Sequence, residues 1–512
     1  MKNKKIRKLH PAIVFLILTI IIMIISSIGG ILNLETSYNS VNALTGDVTT
    51  QVVSINNLFN RTGLQYLISS MINNFINFAP LANIIVGLIG IGVAYKSGFL
   101  NSLFKMIGKV VPRRALTFIV VLLGIISTMF YEVGYVILIP LAAILFMNLG
   151  RHPSAGICAA FAGITFGMGA GVVVNNIDST LLGYSNGAAS ILDTGYKMHM
   201  SGNLFFMIIS TILIAYLGMF ITERYIIPKL GKYTFDEEEP SQDTLVTKKE
   251  KKGVIISLLV CLFLTLILIY CITPNLPFSG LLLYLKDKNY VDQLFGANSY
   301  FKQGVVTITS FMLIIAGLIY GIRVKTITNN KELVNCMSYY LKEISSILVL
   351  IFFAAQFCLI FKETNIGVLV VASLTELLSN LELNGLLLVL TTFVITIIAT
   401  IFVPALGTKW AIMSPVVVPM FMQSSLTPEF AQAVYRGASS ATLGIAPLFT
   451  YFVILIGFLE IYNKRKNDTV TITDAMSLML PYTIAYTVLW LLIVLAFYII
   501  GLPIGPSTSV MI

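Results

Sequence analysis

Charge is what this sequence has least of. Asp, Glu, Lys and Arg make up 11% of its 512 residues, where a soluble domain carries about a quarter. A surface so poor in charge cannot be held in water, so the solvent for most of the chain is lipid. Histidine is scarce too. His10, His152 and His199 lie far apart, which leaves little for acid–base catalysis or a zinc site. The five cysteines, Cys158, Cys261, Cys271, Cys336 and Cys358, stand singly, mostly inside apolar runs. With no CxxC or Cys/His spacing, neither a disulfide framework nor a metal site is implied. No HExxH occurs, so the zinc-protease signature is missing.

What is present is apolar: 57% of residues are hydrophobic, and the mean hydropathy is +0.89. A crossing helix needs about 20 such residues. Nine stretches qualify, at 11–33, 80–98, 155–185, 203–226, 253–273, 301–321, 343–361, 430–460 and 477–501. The first follows MKNKKIRKLH, as a signal peptide would. It outruns a signal core and no small-residue cleavage site follows, so an uncleaved first helix is expected. Two further runs, 115–149 and 384–424, are too long for one helix. Each has a turn-forming centre, at Ser127–Gly134 and Pro404–Lys409, and each reads as a hairpin that enters the membrane and returns. The fold class expected is an all-α integral membrane protein of nine transmembrane helices plus two re-entrant hairpins.

The formal charge of +10 invites a nucleic-acid reading, but no basic stripe interleaved with aromatics accompanies it. With a cytoplasmic N-terminus and both hairpins re-entrant, 25 of the 33 Lys and Arg fall in segments 1–10, 96–114, 151, 224–252, 322–342 and 464–466. That asymmetry marks the inside of a multi-pass membrane protein. The C-terminus then lies outside. Residues 34–62 form a polar external segment. Residues 233–252, acidic then basic, form a cytoplasmic linker between two halves, 60–232 and 335–501.

The halves share a register. At a shift of 275 (412 minus 137), Ile137, Pro140, Phe146-Met147 and Pro153 match Ile412, Pro415, Phe421-Met422 and Pro428. Tyr135 falls opposite Trp410, and Gly169 opposite Gly444. Each hairpin is followed by a helix opening at a His-Pro or Thr-Pro step. Each such helix is then interrupted, by GITFGMGAGVVVNNID at 163–178 and by GASSATLGIAP at 437–447. Backbone breaks at membrane depth are tolerated only where they line a cavity or lie within protein. Inverted repeats with paired broken helices are the build of secondary transporters.

Ionisable groups inside a membrane are costly and therefore functional candidates. Asp178 ends the first break beside Asn175 and Asn176. It reads either as a ligand for a cation, proton or polar substrate, or as a helix cap. Arg436, seven residues into the second broken helix, suits a substrate carboxylate through a bidentate pair; a structural ion pair is the competing reading. Trp410 either stacks on an aromatic substrate or anchors at the interface. Glu132 and Lys409 occupy the hairpin tips, Glu132 as a candidate for a coupling ion and Lys409 as a residue facing water. Ser439, Ser440 and Thr442 offer hydroxyls, or serve close helix packing.

At these residues the chain resembles the AbgT family of p-aminobenzoyl-glutamate transporters. The resemblance is carried by GRHPSAGICAAFAG (150–163), KWAIMSPVVVPMFM (409–422), GLPIGP (501–506), FAPLANIIVGLIGIGVA (78–94) and FFMIISTILIAYLGMFITERYIIPKLGKY (205–233). It implies a dimeric, bowl-shaped transporter driven by an ion gradient, importing p-aminobenzoyl-glutamate or exporting sulfonamide-type antimetabolites. The family's functional positions fall at Asp178, Trp410, Pro428, Arg436 and Pro447. Two positions depart. Ser439 stands where the family has an Asp three residues after the arginine, and Gly407 where it has a Ser three residues before the tryptophan. An arginine without that carboxylate is expected to be better disposed to an anionic substrate.

The function expected is ion-gradient-coupled transport of p-aminobenzoyl-glutamate or a similar aromatic organic anion, with no nucleic-acid partner and no cofactor beyond a coupling ion, Na⁺ or H⁺. Efflux of antimetabolites is the alternative. A channel or an intramembrane enzyme would need features that the sequence does not offer.

Overall fold

The structure, a computed structural model, describes residues 9–42, 45–130, 132–234, 245–464 and 469–512. Helix α1 (Pro11–Ile31) opens on His10, whose Nδ1 accepts from the Ala12 N–H. Pro11 sits in its first turn, where a missing N–H costs nothing. Strands β1 (Glu35–Val41) and β2 (Val48–Ser54) then pair antiparallel, from Glu35 opposite Ser54 to Val41 opposite Val48. This hairpin lies inside the stretch read only as a polar segment. Its Thr, Val and Tyr content suits a half-buried strand.

The first half continues with α2 (Arg61–Ile76), α3 (Ala79–Lys96), α4 (Phe99–Val110), α5 (Arg113–Ser127), α6 (Ile139–Asn148), α7 (Pro153–Phe166), α8 (Asn176–Ala189) and α9 (Leu204–Ile221). A π turn at Thr222–Ile226 carries α9 into α10 (Ile227–Leu230). Of the linker placed at 233–252, residues 235–244 lie outside the described residues. Lys248–Lys252 are already helical, at the start of α11 (Lys248–Ile272), because Thr247 and Glu250 form a capping box there. Then come α12 (Tyr290–Phe295), α13 (Tyr300–Val324), α14 (Asn330–Met337), α15 (Tyr339–Glu343), α16 (Ser345–Glu363), α17 (Ile366–Asn380), α18 (Gly385–Phe402), α19 (Leu406–Gln423), α20 (Pro428–Thr442), α21 (Phe452–Ile461) and α22 (Ile472–Ile500).

Among the described residues, eight helical segments are long and apolar enough to cross a bilayer, or nine when α16 and α17, bent by 50° at their junction, are counted as one broken span. The total matches the sequence reading, but the membership differs. The stretches 155–185 and 430–460 are each divided, into α7 with α8 and α20 with α21, helices of 14, 14, 15 and 10 residues. At about 1.5 Å per residue none of these spans a hydrocarbon core alone. By length, Arg113–Phe130 and Gly385–Phe402 do qualify.

Both long apolar runs nonetheless double back. In the first, winding tightens at Thr128–Phe130 and loosens to a π turn at Gly134–Leu138 between α5 and α6. Arg151, just after α6, donates from Nη1 to the Arg113 carbonyl at the start of α5, at 3.3 Å. The run therefore returns to where it began. In the second, Gly385 at the start of α18 lies beside the Tyr498 hydroxyl near the end of α22. The segment after α19 reaches that end as well: Thr427 N–H bonds the Val510 carbonyl at 3.0 Å.

α22 relates the two hairpins. It has 29 residues, about 43 Å of helix. The base of the first hairpin, at His152 and Ser154, shares a cavity with Asp474 and Ser477 at the start of α22. The base of the second lies at its other end. Local geometry also repeats at the shift of 275. Leu149 N–H bonds Leu145 and Phe146 O, Gly150 N–H bonds Met147 O, and Arg151 N–H bonds Phe146 O. Ser424, Ser425 and Leu426 make the same bonds to Met420, Phe421 and Met422. Gly150 and Ser425 both take a left-handed φ, of 68° and 58°, so a serine accepts a conformation that favours glycine.

Candidate functional site

The site is built where α7 and α20 pass each other. α7 stops at Phe166, and the chain runs unwound until α8 starts at Asn176. Gly169 makes this crossing possible: a Cβ there would meet the Arg436 carbonyl at 2.6 Å and the Ser440 Oγ at 2.8 Å. α8 is then capped reciprocally. Asn175 Oδ1 accepts from the Ile177 N–H at 2.8 Å, and Asp178 Oδ2 accepts from the Asn175 N–H at 2.7 Å. The other carboxylate oxygen of Asp178 accepts from Arg436 Nη1. Cap and charge partner are thus the same side chain: the helix-cap reading of Asp178 holds, and its free oxygen is taken up by Arg436.

Arg436 is 1% exposed. Its Nε donates to the Gly169 carbonyl at 3.3 Å, while its Nη2 has no partner among the described residues. The expectation of an arginine without a carboxylate is therefore corrected. Ser439 offers no carboxylate three residues after Arg436, but Asp178 reaches across from α8. One face of the guanidinium remains unsatisfied, and a buried donor left so costs about 1–3 kcal/mol.

Trp410 is neither an interfacial anchor nor open to solvent. It is fully buried on α19, with Nε1 donating to Ser185 Oγ at 2.9 Å. Its ring lies 4.3 Å from that of Tyr435. Gln432 Nε2 also reaches Ser185 Oγ, at 3.3 Å. Ser185, Tyr435 and Gln432 were not picked out from the sequence. The signal for Ser185 was its place two helical turns after Asp178, on the same face of α8. Gly183-Tyr184-Ser185-Asn186-Gly187 also spells the GxSxG of serine hydrolases. Here the serine lies inside a helix rather than on a strand-to-helix turn, so the nucleophile geometry is missing.

The second break falls later than expected. Gly437–Thr442 remain helical in α20, a 3₁₀ turn follows at Leu443–Ile445, and α21 begins at Phe452. Gly437 serves packing instead: a Cβ there would lie 2.9 Å from the Trp490 ring. Trp490 Nε1 in turn donates to the Phe166 carbonyl, at 3.2 Å, so α22 touches both broken helices. Ser440 Oγ donates back to the Arg436 carbonyl at 2.9 Å and is spent there. Ser439 is buried on the same helix. Pro428 occupies the first turn of α20 behind the Thr427 cap, and Pro447 lies in the unwound segment before α21.

Lys409 overturns its reading as a water-facing tip residue. It is fully buried, because α19 already starts at Leu406 and turns the side chain towards α18. Its Nζ donates to Thr400 Oγ1 at 2.5 Å and lies 5.4 Å from the Tyr435 ring. Glu132 is half-buried and hydrogen-bonded by Asn83. It lines a cavity of about 410 Å³ with Lys302, Asn176, Thr180, Tyr184 and the second hairpin tip, Ala405–Thr408. Both hairpin tips thus meet one cavity, and the Asp178–Arg436 pair lies behind its α8 wall. Among the described residues no group of three or more His, Cys, Asp or Glu could hold a metal ion.

An α-helical multi-pass membrane protein whose broken helices cross at a buried charge pair, beside a cavity roofed by two hairpin tips, is built as a membrane transporter. The comparisons narrow the class. The model described as "AbgT putative transporter family" matches residues 6–512. The p-aminobenzoyl-glutamate transport protein of Escherichia coli (strain K12) is 30% identical over 498 residues, 97% of this chain and 94% of the relative. The chain belongs to the AbgT family of transporters. Two solved structures are similar. The YdaH transporter of Alcanivorax borkumensis is 30% identical, with a TM-score of 0.48, over 97% of this chain and 100% of that one. MtrF of Neisseria gonorrhoeae, described as illuminating a class of antimetabolite efflux pumps, is 32% identical, with a TM-score of 0.49, over 98% and 97%.

Proposed function

We propose that this chain is an ion-gradient-coupled secondary transporter of p-aminobenzoyl-glutamate or a similar aromatic organic anion. It works as a homodimer in the bacterial cytoplasmic membrane, with its N-terminus inside and its C-terminus outside. The observation that carries this reading is the unsatisfied Arg436 Nη2, buried one helical turn along α20 from Gln432, which shares Ser185 with the Trp410 of the Trp410–Tyr435 ring pair. A guanidinium already held by Asp178 keeps one edge for a substrate carboxylate, and an aromatic wall suits the ring. Residues 60–232 and 335–501 act as inverted repeats, supported by the hydrogen-bond register shared at a shift of 275 and by hairpin bases at opposite ends of α22. Substrate enters the cavity between the tips, Asn176 with α8 forms its inner wall, and Asn175 and Asp178 stand behind that wall with Arg436.

Counterflow in proteoliposomes tests this reading, with p-aminobenzoyl-glutamate against a panel of dicarboxylates and with Na⁺ and pH varied separately. Exchange that is saturable and lost in a folded Arg436→Ala protein is the expected result. Unchanged exchange in that variant removes Arg436 from the site. Efflux of antimetabolites is the second reading, because the gradients set the direction in which a coupled transporter of such anions runs. Cells expressing the protein would then survive higher sulfonamide concentrations, and unchanged susceptibility counts against it.

A further inference from the structure

A row of polar side chains runs along one face of α20, through an otherwise apolar interior. Glu429, Gln432, Arg436 and Ser440 succeed one another at intervals of three and four, which stacks them on one side of a helix. Glu429, Gln432, Arg436 and Ser440 are 4%, 4%, 1% and 0% exposed. Each has a partner: Tyr196 for Glu429, Ser185 and Asn203 for Gln432, Asp178 for Arg436, and the Arg436 carbonyl for Ser440. The row begins where the C-terminal tail packs and ends at the central charge pair.

Glu429 is the unexplained member. Its Oε2 accepts from the Tyr196 hydroxyl at 2.7 Å, and no ion pair among the described residues includes it. The titratable groups facing it are Tyr196 and His199, from the loop before α9, with Asp193 acting on Tyr196. The tail from Gly501 to Ile512, packed against Gly202, holds no charged side chain. His199 is exposed to solvent, so the carboxylate sits one residue layer from water. Residue 202 packs directly on Glu429, and the next residue, Asn203, has a buried Oδ1 with no partner. Buried polar atoms in that state call for an explanation. A carboxylate in the first turn of a helix is also stabilised by the helix dipole, so its neutralisation loosens the seating of α20.

We propose that Glu429 is the proton-loading group of the transport cycle, taking a proton from the aqueous end of α20 and transmitting its charge state along α20 to the Asp178–Arg436 pair. A solvent proton passes to the Glu429 carboxylate as the Tyr196 hydroxyl shifts its hydrogen bond. The carboxylate becomes a neutral carboxylic acid, and no electrons move. Seven residues, about 10 Å along the helix, separate that charge from Arg436. This rests on the ion-coupled reading above and selects H⁺ as its ion.

The test uses full-length protein in proteoliposomes: wild type, Glu429→Gln and Tyr196→Phe. Two quantities are read, gradient-free counterflow of p-aminobenzoyl-glutamate and its accumulation under an imposed pH gradient. Glu429→Gln is expected to keep counterflow within about twofold while losing pH-driven accumulation by about tenfold or more. Tyr196→Phe is expected to shift the pH profile without abolishing exchange. The infrared carbonyl band of a protonated carboxylic acid should disappear in Glu429→Gln. Accumulation by Glu429→Gln equal to wild type overturns the proposal, as does wild-type accumulation that follows Na⁺ and ignores pH. Absence of wild-type counterflow instead sinks the transport reading. Should Glu429→Gln not fold, Tyr196→Phe, which removes one hydroxyl, decides: an unaltered pH profile there overturns the proposal.

Discussion

Arg436 and Asp178, 258 positions apart in the chain, form an ion pair in which both side chains are almost wholly buried. One sits on α20 and the other caps α8 across a backbone break. The pair therefore fastens the two halves to each other at the depth where each helix is interrupted.

Removing one partner strands the other. Arg436→Ala and Asp178→Asn are each expected to lower stability by about 3–5 kcal/mol, because an isolated buried charge remains. The double variant should cost less than the sum. Thermal unfolding of the four proteins, read as a double-mutant cycle, checks this; strict additivity would mean that the pair is not coupled. Arg436→Lys keeps the charge but loses the fork, and should retain folding while transport falls at least about tenfold.

Trp410 separates packing from hydrogen bonding. Trp410→Phe loses the bond to Ser185, a cost of about 1 kcal/mol, and should still transport. Trp410→Ala empties space beside Tyr435 and should cost about 3–5 kcal/mol. Equal melting temperatures for the two variants would show that the ring is not packed as described.

Gly169→Ala places a methyl group against the Arg436 carbonyl. Overpacking of this kind costs about 1–3 kcal/mol and forces α20 away from the break. The expected phenotype is a folded protein with little transport. Wild-type rates in that variant would mean that the crossing tolerates separation.

Arg151, itself buried, forms the second ion pair among the described residues, with the half-buried Glu223, and also donates to Thr117 Oγ1 at 2.9 Å. It ties α5 to the segment before α7, away from the cavity between the hairpin tips. Arg151→Ala should lower the melting temperature and leave the KM for substrate unchanged, and Arg151→Met with Glu223→Leu should recover much of the loss. A raised KM with unaltered stability would contradict this.

The membrane class, the two hairpins and the breaks near 163–178 were legible because lipid demands long apolar runs, and glycines interrupt them visibly. The β-hairpin was not. Seven-residue strands with polar tips look like an exposed loop until a helix bundle offers them a surface. Gly437 misled for a related reason: a glycine in a membrane helix marks either a break or a close neighbour, and only Trp490 tells which. Asp178 and Arg436 stood out as rare charges. Their mutual partnership, and the burial of Lys409, depend on which helices meet, and no single segment encodes that.

One side chain of α22, Trp490, touches both interrupted helices: it bonds Phe166 and covers Gly437. A molecule that displaced that buried indole would stall the opening of either mouth while leaving the cavity between the hairpin tips empty. Such an inhibitor would lower the maximal rate without changing the apparent affinity for substrate. Raising the substrate concentration would not displace it.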